Sequence, residues 1–149
     1  DLQAWLDDRV PAVLVGAPWR DGNVLRNSAL FLESGEIRAR HDKRELPNYG
    51  VFDEKRHYTP GDGPAVVVDF KGVRIGLAIC EDIWFERVPR AVKAAGADLL
   101  MVLNASPWRR AIQKERAAAF DRWADLKLPY LFVNQMGGQD ELVFDGASY

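Results

Sequence analysis

Val73-Arg74-Ile75-Gly76-Leu77-Ala78-Ile79-Cys80-Glu81-Asp82-Ile83-Trp84 decides how this chain is read. An apolar run of strand length stops abruptly at a thiol followed by two carboxylates. The spacing therefore predicts a buried strand that delivers Cys80 to a strand-to-loop edge rather than to mid-core. Upstream, Ala65 to Phe70 and the turn Lys71-Gly72 make this strand half of a hairpin. Downstream, Val88 to Ala95 has helical spacing with Gly96 as its stop, and Leu99 to Leu103 reads as another buried strand.

The same alternation extends to both ends. Ala12 to Gly16 is a short apolar run, and Val24 to Leu32 with Ile37 to Arg40 reads as two strands around Glu33-Ser34-Gly35-Glu36. Ile112 to Leu126 reads as a helix and Leu131-Phe132-Val133 as a strand, with Gln135 to Glu141 a polar, Gly-rich loop. The long stretch from Leu46 to Pro64 is rich in Pro, Gly, Asn and Asp, yet its Tyr49, Phe52 and Tyr58 predict a packed loop. Interleaving of this kind predicts a layered α/β domain. Trp84, Trp108 and Trp123 read as packing residues.

Composition narrows the function classes. The chain has 149 residues, 48% hydrophobic and 28% charged, with 20 Lys+Arg against 22 Asp+Glu for a net charge of -2. That is the profile of one globular unit. The charges are interspersed, which argues against nucleic acid as a partner and against an anionic membrane surface. Apolar runs such as Ala97 to Leu103 fall far short of the roughly 20 residues of a membrane span. One cysteine cannot form an internal disulfide or a zinc site by itself, so no metal is expected and a cytoplasmic setting is.

Two residues are candidates for chemistry. Taken alone, Cys80 reads as a small buried hydrophobe and Lys43 as a solvated surface lysine. A catalytic thiol needs a lowered pKa or an adjacent base, and neither His41 nor His57 is placed by spacing to be that base. Lys43, where a strand gives way to the long loop, could aim its ammonium into a cleft and meet a developing oxyanion.

Lys43-Arg44-Glu45-Leu46-Pro47-Asn48-Tyr49-Gly50-Val51-Phe52-Asp53-Glu54, followed by Cys80-Glu81-Asp82-Ile83-Trp84, resembles the nitrilase, or carbon-nitrogen hydrolase, superfamily. More narrowly, it resembles the glutamine amidotransferase domain of glutamine-dependent NAD+ synthetases. Arg26-Asn27-Ser28-Ala29, Asn104-Ala105-Ser106-Pro107 and the run from Asn134 to Gly146 agree, in the right order. The resemblance implies a four-layer α-β-β-α sandwich, with residues 1–149 the central part of a single such domain, incomplete at both ends.

It also implies a Glu, Lys, Cys triad, with Cys80 as nucleophile and Lys43 as the cation beside the tetrahedral intermediate. Glu54 would orient the lysine, and the backbone N–H of Glu81 would share the oxyanion. Tyr49 and Phe52 would wall a glutamine pocket, and Ser106 would bind the amino-acid head group. Arg109, Arg110, Lys114 and Arg116 compete for the substrate carboxylate. Glu33 and Glu36 sit in a hairpin turn and do not fit the general base, which is expected before Asp1. This chain alone is therefore expected to be inactive or nearly so.

Glutamine, a synthetase domain in cis and a second copy of the chain are the implied partners. The chain itself needs no cofactor. ATP and Mg2+ are implied for the synthetase domain only, since no Gly-x-x-x-x-Gly-Lys-Ser/Thr loop occurs here. The implied function is hydrolysis of the glutamine side-chain amide, supplying ammonia for amidation of deamido-NAD+ to NAD+. A stand-alone amidase, nitrilase or carbamoylase, and a non-catalytic remnant, remain open alternatives.

Overall fold

The computed structural model describes residues 12–149. Its first sheet is the antiparallel meander β1 (Val13–Asp21), β2 (Val24–Glu33) and β3 (Glu36–Asp42). Ser34 and Gly35 both lie in the left-handed region, at φ 51° and 78°, as a tight two-residue hairpin connection requires. β1 is longer than its apolar run from Ala12 to Gly16 predicts. Residues 17–21 continue the ladder against Val24–Ser28, and Pro18 is tolerated because β1 is an edge strand among the described residues.

The second sheet has the order β4 (Val67–Phe70), β5 (Val73–Ile79), β6 (Leu99–Asn104) and β7 (Tyr130–Asn134). β4 and β5 form the expected hairpin, while β5, β6 and β7 run parallel. Parallel neighbours need crossovers. α1 (Arg87–Ala94) lies between β5 and β6, and α2 (Ile112–Asp121) between β6 and β7.

Alternation along β5 assigns its two faces. Ile75 and Leu77 pack with Phe31 of β2, joining the sheets face to face. Ala78 points the other way, into a cluster with Val92 of α1 and Ala119 and Phe120 of α2. Gly76 shares that face, and a Cβ there would stand 2.0 Å from Val92 Cγ1, so only glycine lets α1 approach this closely. The described residues thus supply an α layer and two β layers of the expected sandwich.

Two sequence expectations are corrected. α2 ends at Asp121, and Ala124–Leu126 forms a separate 3-10 turn. The Trp123 indole donates to Ile83 O at 2.6 Å between them, so a tertiary contact ends the helix before Leu126. The Gln135 to Glu141 loop is instead largely a hairpin of β8 (Met136–Gln139) and β9 (Leu142–Asp145). Met136-Gly137-Gly138-Gln139 is exposed throughout, so no alternation of apolar and polar residues marked it as a strand.

Candidate active site

The fold gathers its polar residues where the parallel strands end. Cys80 follows β5, Ala105 and Ser106 follow β6, and Gln135 follows β7. Lys43 follows β3, so the first sheet brings it to the same edge, where α/β sheets characteristically bind ligands.

Cys80 opens the 3-10 turn Cys80–Trp84 with φ 44°, a conformation rare for a side-chain-bearing residue and typical of strained functional turns. Asp82 holds that turn. Its carboxylate accepts the backbone N–H of Ile79 at 3.0 Å, of Arg44 at 2.9 Å and of Glu45 at 3.0 Å, and lies 2.8 Å from His41 Nε2. Burial works to raise the Asp82 carboxyl, but His41 and these N–H groups outweigh it and hold the pKa below the usual carboxylate value. One 0% exposed side chain therefore fastens the cysteine turn to the segment carrying Lys43.

Lys43 is 4% exposed. Its ammonium donates to Glu54 Oε2 at 2.6 Å, and Asn27 Nδ2 donates to Glu54 Oε1 at 2.5 Å. The Lys43 backbone is pinned as well, its N–H donating to Asn27 O at 2.8 Å and its C=O accepting from Gly61 at 2.8 Å. Gly61 is required there, since a Cβ would fall 2.2 Å from Asp42 O. The long loop folds back on itself by these contacts and so delivers Glu54.

Two cavities meet at Cys80 and Phe52. The larger, about 520 Å³, is lined by Lys43, Glu54, Asn27 and Asn134 as well. The smaller, about 120 Å³, adds Tyr49, Glu81, Ser106 and Arg109. All seven predicted site residues, Cys80, Lys43, Glu54, Glu81, Tyr49, Phe52 and Ser106, line one or both. Trp84 lines the smaller cavity rather than only packing, and Trp108 is 57% exposed instead of buried.

The thiol is electrostatically quiet at rest. Burial pushes Cys80 up to about 11; Lys43 opposes the shift, while Glu81, Glu54 and Asp82 add to it. Such a thiol is on the order of one part in 10⁴ ionised at pH 7, so attack requires a base. Burial likewise pushes the Tyr49 hydroxyl up to about 12, helped by its 2.8 Å hydrogen bond to Glu81 Oε1. Glu81 is raised by burial against the pull of Tyr49 and Lys43.

Of the four competing cations, Arg116 is 2% exposed and fully engaged. It donates to Asp145 Oδ1 at 2.9 Å, to Ser106 O at 2.8 Å and to Ser106 Oγ at 3.2 Å. Arg109 lines the smaller cavity while paired with Glu115, and Arg110 and Lys114 line neither cavity. Glu33 ends β2 six residues from Asn27, about 20 Å away at strand spacing, so the Glu33/Glu36 turn is remote from Cys80. Sequence reasoning assigned no role to His41, Asp82, Asn27 or Asn134. The available signals were Asp82's place two residues after Cys80 and the two runs of the resemblance that hold Asn27 and Asn134, Arg26 to Ala29 and Asn134 to Gly146.

Among the described residues no group of three or more His, Cys, Asp or Glu is arranged to hold a metal ion, and no helix is long and apolar enough to cross a membrane.

The Carbon-nitrogen hydrolase family pattern matches residues 2–149. A glutamine-dependent NAD(+) synthetase of Xanthomonas campestris is 45% identical over 91% of this chain, which spans 25% of that protein. One from Acinetobacter baylyi is 36% identical over 83% of the chain and 23% of the protein. The chain thus spans about a quarter of the length of these curated relatives. Among solved structures, the glutamine-dependent NAD+ synthetase of Acinetobacter baumannii, in complex with ADP, superposes with TM-score 0.86 at 35% identity, covering 92% of this chain and 26% of that one. An amidase from Nesterenkonia superposes with TM-score 0.86 at 28% identity, covering 99% of this chain and 55% of its own. A lone cysteine on a strained strand-to-turn junction, a buried Lys-Glu pair beside it and a match over nearly the full length lead to one assignment: the chain belongs to the carbon-nitrogen hydrolase family.

Proposed function

We propose that, in the whole protein, Cys80 of this chain hydrolyses the side-chain amide of glutamine and the ammonia serves ATP-dependent amidation of deamido-NAD+. The observation that carries the chemistry is the single cavity shared by Cys80, Lys43 and Glu54. A substituted variant of the Nesterenkonia amidase, which shows covalent additions at the active site cysteine, supports attack by a thiol. The NAD(+) synthetases at 36% to 45% identity support glutamine as the amide.

In this reading a base takes the Cys80 proton and the thiolate sulfur attacks the amide carbon. The carbonyl oxygen becomes an oxyanion, met by the Lys43 ammonium and by the backbone N–H of Glu81. That N–H lies in the first turn of a 3-10 segment, where N–H groups lack partners within the helix. The C–N bond then breaks, ammonia leaves with a proton, and water cleaves the γ-glutamyl thioester to glutamate, returning the proton to sulfur. Glu54 keeps Lys43 in place throughout.

The smaller cavity fits the rest of the substrate. Glu81 and Arg109 both line it, an anion and a cation suited to an α-ammonium and an α-carboxylate, with Tyr49 and Phe52 as aromatic walls 5.8 Å apart in an edge-on pair. ATP and Mg2+ enter only through the synthetase half of the reaction, and this chain contributes no step through them.

Ammonia release from glutamine by the natural full-length protein, with Cys80→Ala as control, tests the reading. Release that disappears with the cysteine is expected. Turnover of other amides or nitriles through Cys80, with glutamine ignored, would leave the family standing and replace the substrate; inertness toward all of them would favour a non-catalytic module.

A further inference from the structure

Arg116 is buried, yet it belongs to neither cavity and touches no residue of the Cys80, Lys43, Glu54 group. Its fork closes on two targets. Nη1 donates to both Asp145 oxygens, at 2.9 and 3.2 Å, while Nη2 and Nε take Ser106 O and Ser106 Oγ. Asn134 completes the clamp, its Oδ1 accepting the Ser106 N–H at 2.9 Å and its Nδ2 donating to Gly146 O at 2.9 Å. Ser106 is thus held through its N–H, its C=O and its hydroxyl oxygen, from α2 and β7.

The chemistry of guanidinium gives this clamp a polarity. Arginine offers donors and no acceptor, so Ser106 Oγ accepts from Nε and cannot give its proton back. Among the described residues the Ser106 hydroxyl has no acceptor, and the residue lines the cavity next to Cys80 and Arg109. A hydroxyl whose lone pair is engaged from behind presents its O–H forward, as a donor. Burial raises the Asp145 carboxyl, but Arg116 and Gln113 outweigh it and keep it ionised, so the cation behind Ser106 remains neutralised and fixed.

We propose that Arg116 is a positioning residue for substrate specificity: it locks the Ser106 hydroxyl as an outward donor, which selects amides carrying a carboxylate at the far end from the scissile bond. The inference rests on the proposed glutamine hydrolysis and deepens it. It also separates Arg116 from Arg109, which lines the same cavity as Ser106 and can meet that carboxylate directly.

The test compares L-glutamine with 4-aminobutanamide, the same amide without the α-carboxylate, using the natural full-length protein and its Ser106→Ala, Arg116→Met and doubly substituted forms. The expected result is a roughly 10- to 100-fold fall in the preference for glutamine in each single variant, carried by KM rather than kcat. The double variant should fall no further than either single one, because both remove the same hydrogen bond. Equal losses on both amides, or additive losses in the double variant, would overturn the proposal and leave Arg116 as packing. Should Arg116→Met fail to fold with Asp145 unpaired, Arg116→Lys replaces it: an ammonium can keep a charge beside Asp145 but not the fork that also reaches Ser106 Oγ, so the same fall is expected and an unchanged preference overturns the proposal. An unsubstituted protein that does not hydrolyse glutamine would overturn the proposed function itself; one that hydrolyses it with a preference indifferent to these changes overturns only this inference.

Discussion

Asp82 Oδ2 and His41 Nε2 lie 2.8 Å apart, both side chains buried, and join the turn that begins at Cys80 to the strand that ends before Lys43. The two residues expected to act on one carbonyl are thus tied through two that do not line either cavity. Asp82→Asn keeps the shape but removes the charge and one acceptor. It should cost roughly 3 kcal/mol of stability at pH 7, within the range for leaving buried hydrogen-bond partners of a carboxylate unsatisfied. The sign with pH follows from the lowered carboxyl. Its stabilising contribution is complete above the unfolded value of 3.8 and is lost as pH falls through the lower folded value. Denaturant unfolding of both proteins should therefore show a gap at pH 7 that narrows below pH 4; a gap that widens in acid would contradict the assignment.

Alkylation reads Cys80 directly, since it is the only cysteine in the chain. With the thiol raised to about 11, the iodoacetamide rate in the absence of substrate should keep climbing past pH 9. Lys43 is the group that pulls the thiol down, so Lys43→Met should move the profile further toward alkali. An inflection below pH 9, or a downward move in the variant, would show that the resting thiol is not governed by burial.

The parts legible in the sequence are those written in contiguous residues. The apolar run ending at Cys80, the glycine turns at Gly35 and Gly72 and the stop at Gly96 each state their structure locally. His41 and Asp82 are 41 positions apart, and nothing local in either announces the other. Arg116 looked like one of four cations near a helix start, because spacing cannot distinguish a guanidinium engaged by Asp145 from one left facing a cavity. β8 escaped for the opposite reason: Gly137 and Gly138 have no side chains with which to show a face.

Gly76 tests how the fold aims the nucleophile. β5 carries Cys80 at its end, and Val92 of α1 presses on the strand where a Cβ would stand 2.0 Å from Cγ1. Gly76→Ala should force the helix or strand to move and cost about 1–3 kcal/mol. Val92→Ala in the same chain should recover part of that loss, although it leaves a cavity of its own when made alone. Thermal unfolding of the two single variants and the double one checks this, and strict additivity would count against a direct clash.

The Lys43–Glu54 pair separates stability from catalysis. Glu54→Leu leaves a 4% exposed ammonium without its 2.6 Å partner, and an uncompensated buried charge costs about 3–5 kcal/mol. Lys43→Met with Glu54→Leu removes both charges and should be more stable than Glu54→Leu alone, because neither desolvated charge remains. Activity should run the other way. Lys43→Met removes the proposed donor to the oxyanion, with an expected loss of roughly 10²–10³ in kcat, and the double variant should be no more active. Chemical denaturation together with ammonia release from the same preparations measures both. If the double variant were as unstable as Glu54→Leu, the pair would not be electrostatically coupled; if Lys43→Met kept its kcat, Lys43 would not face the developing charge.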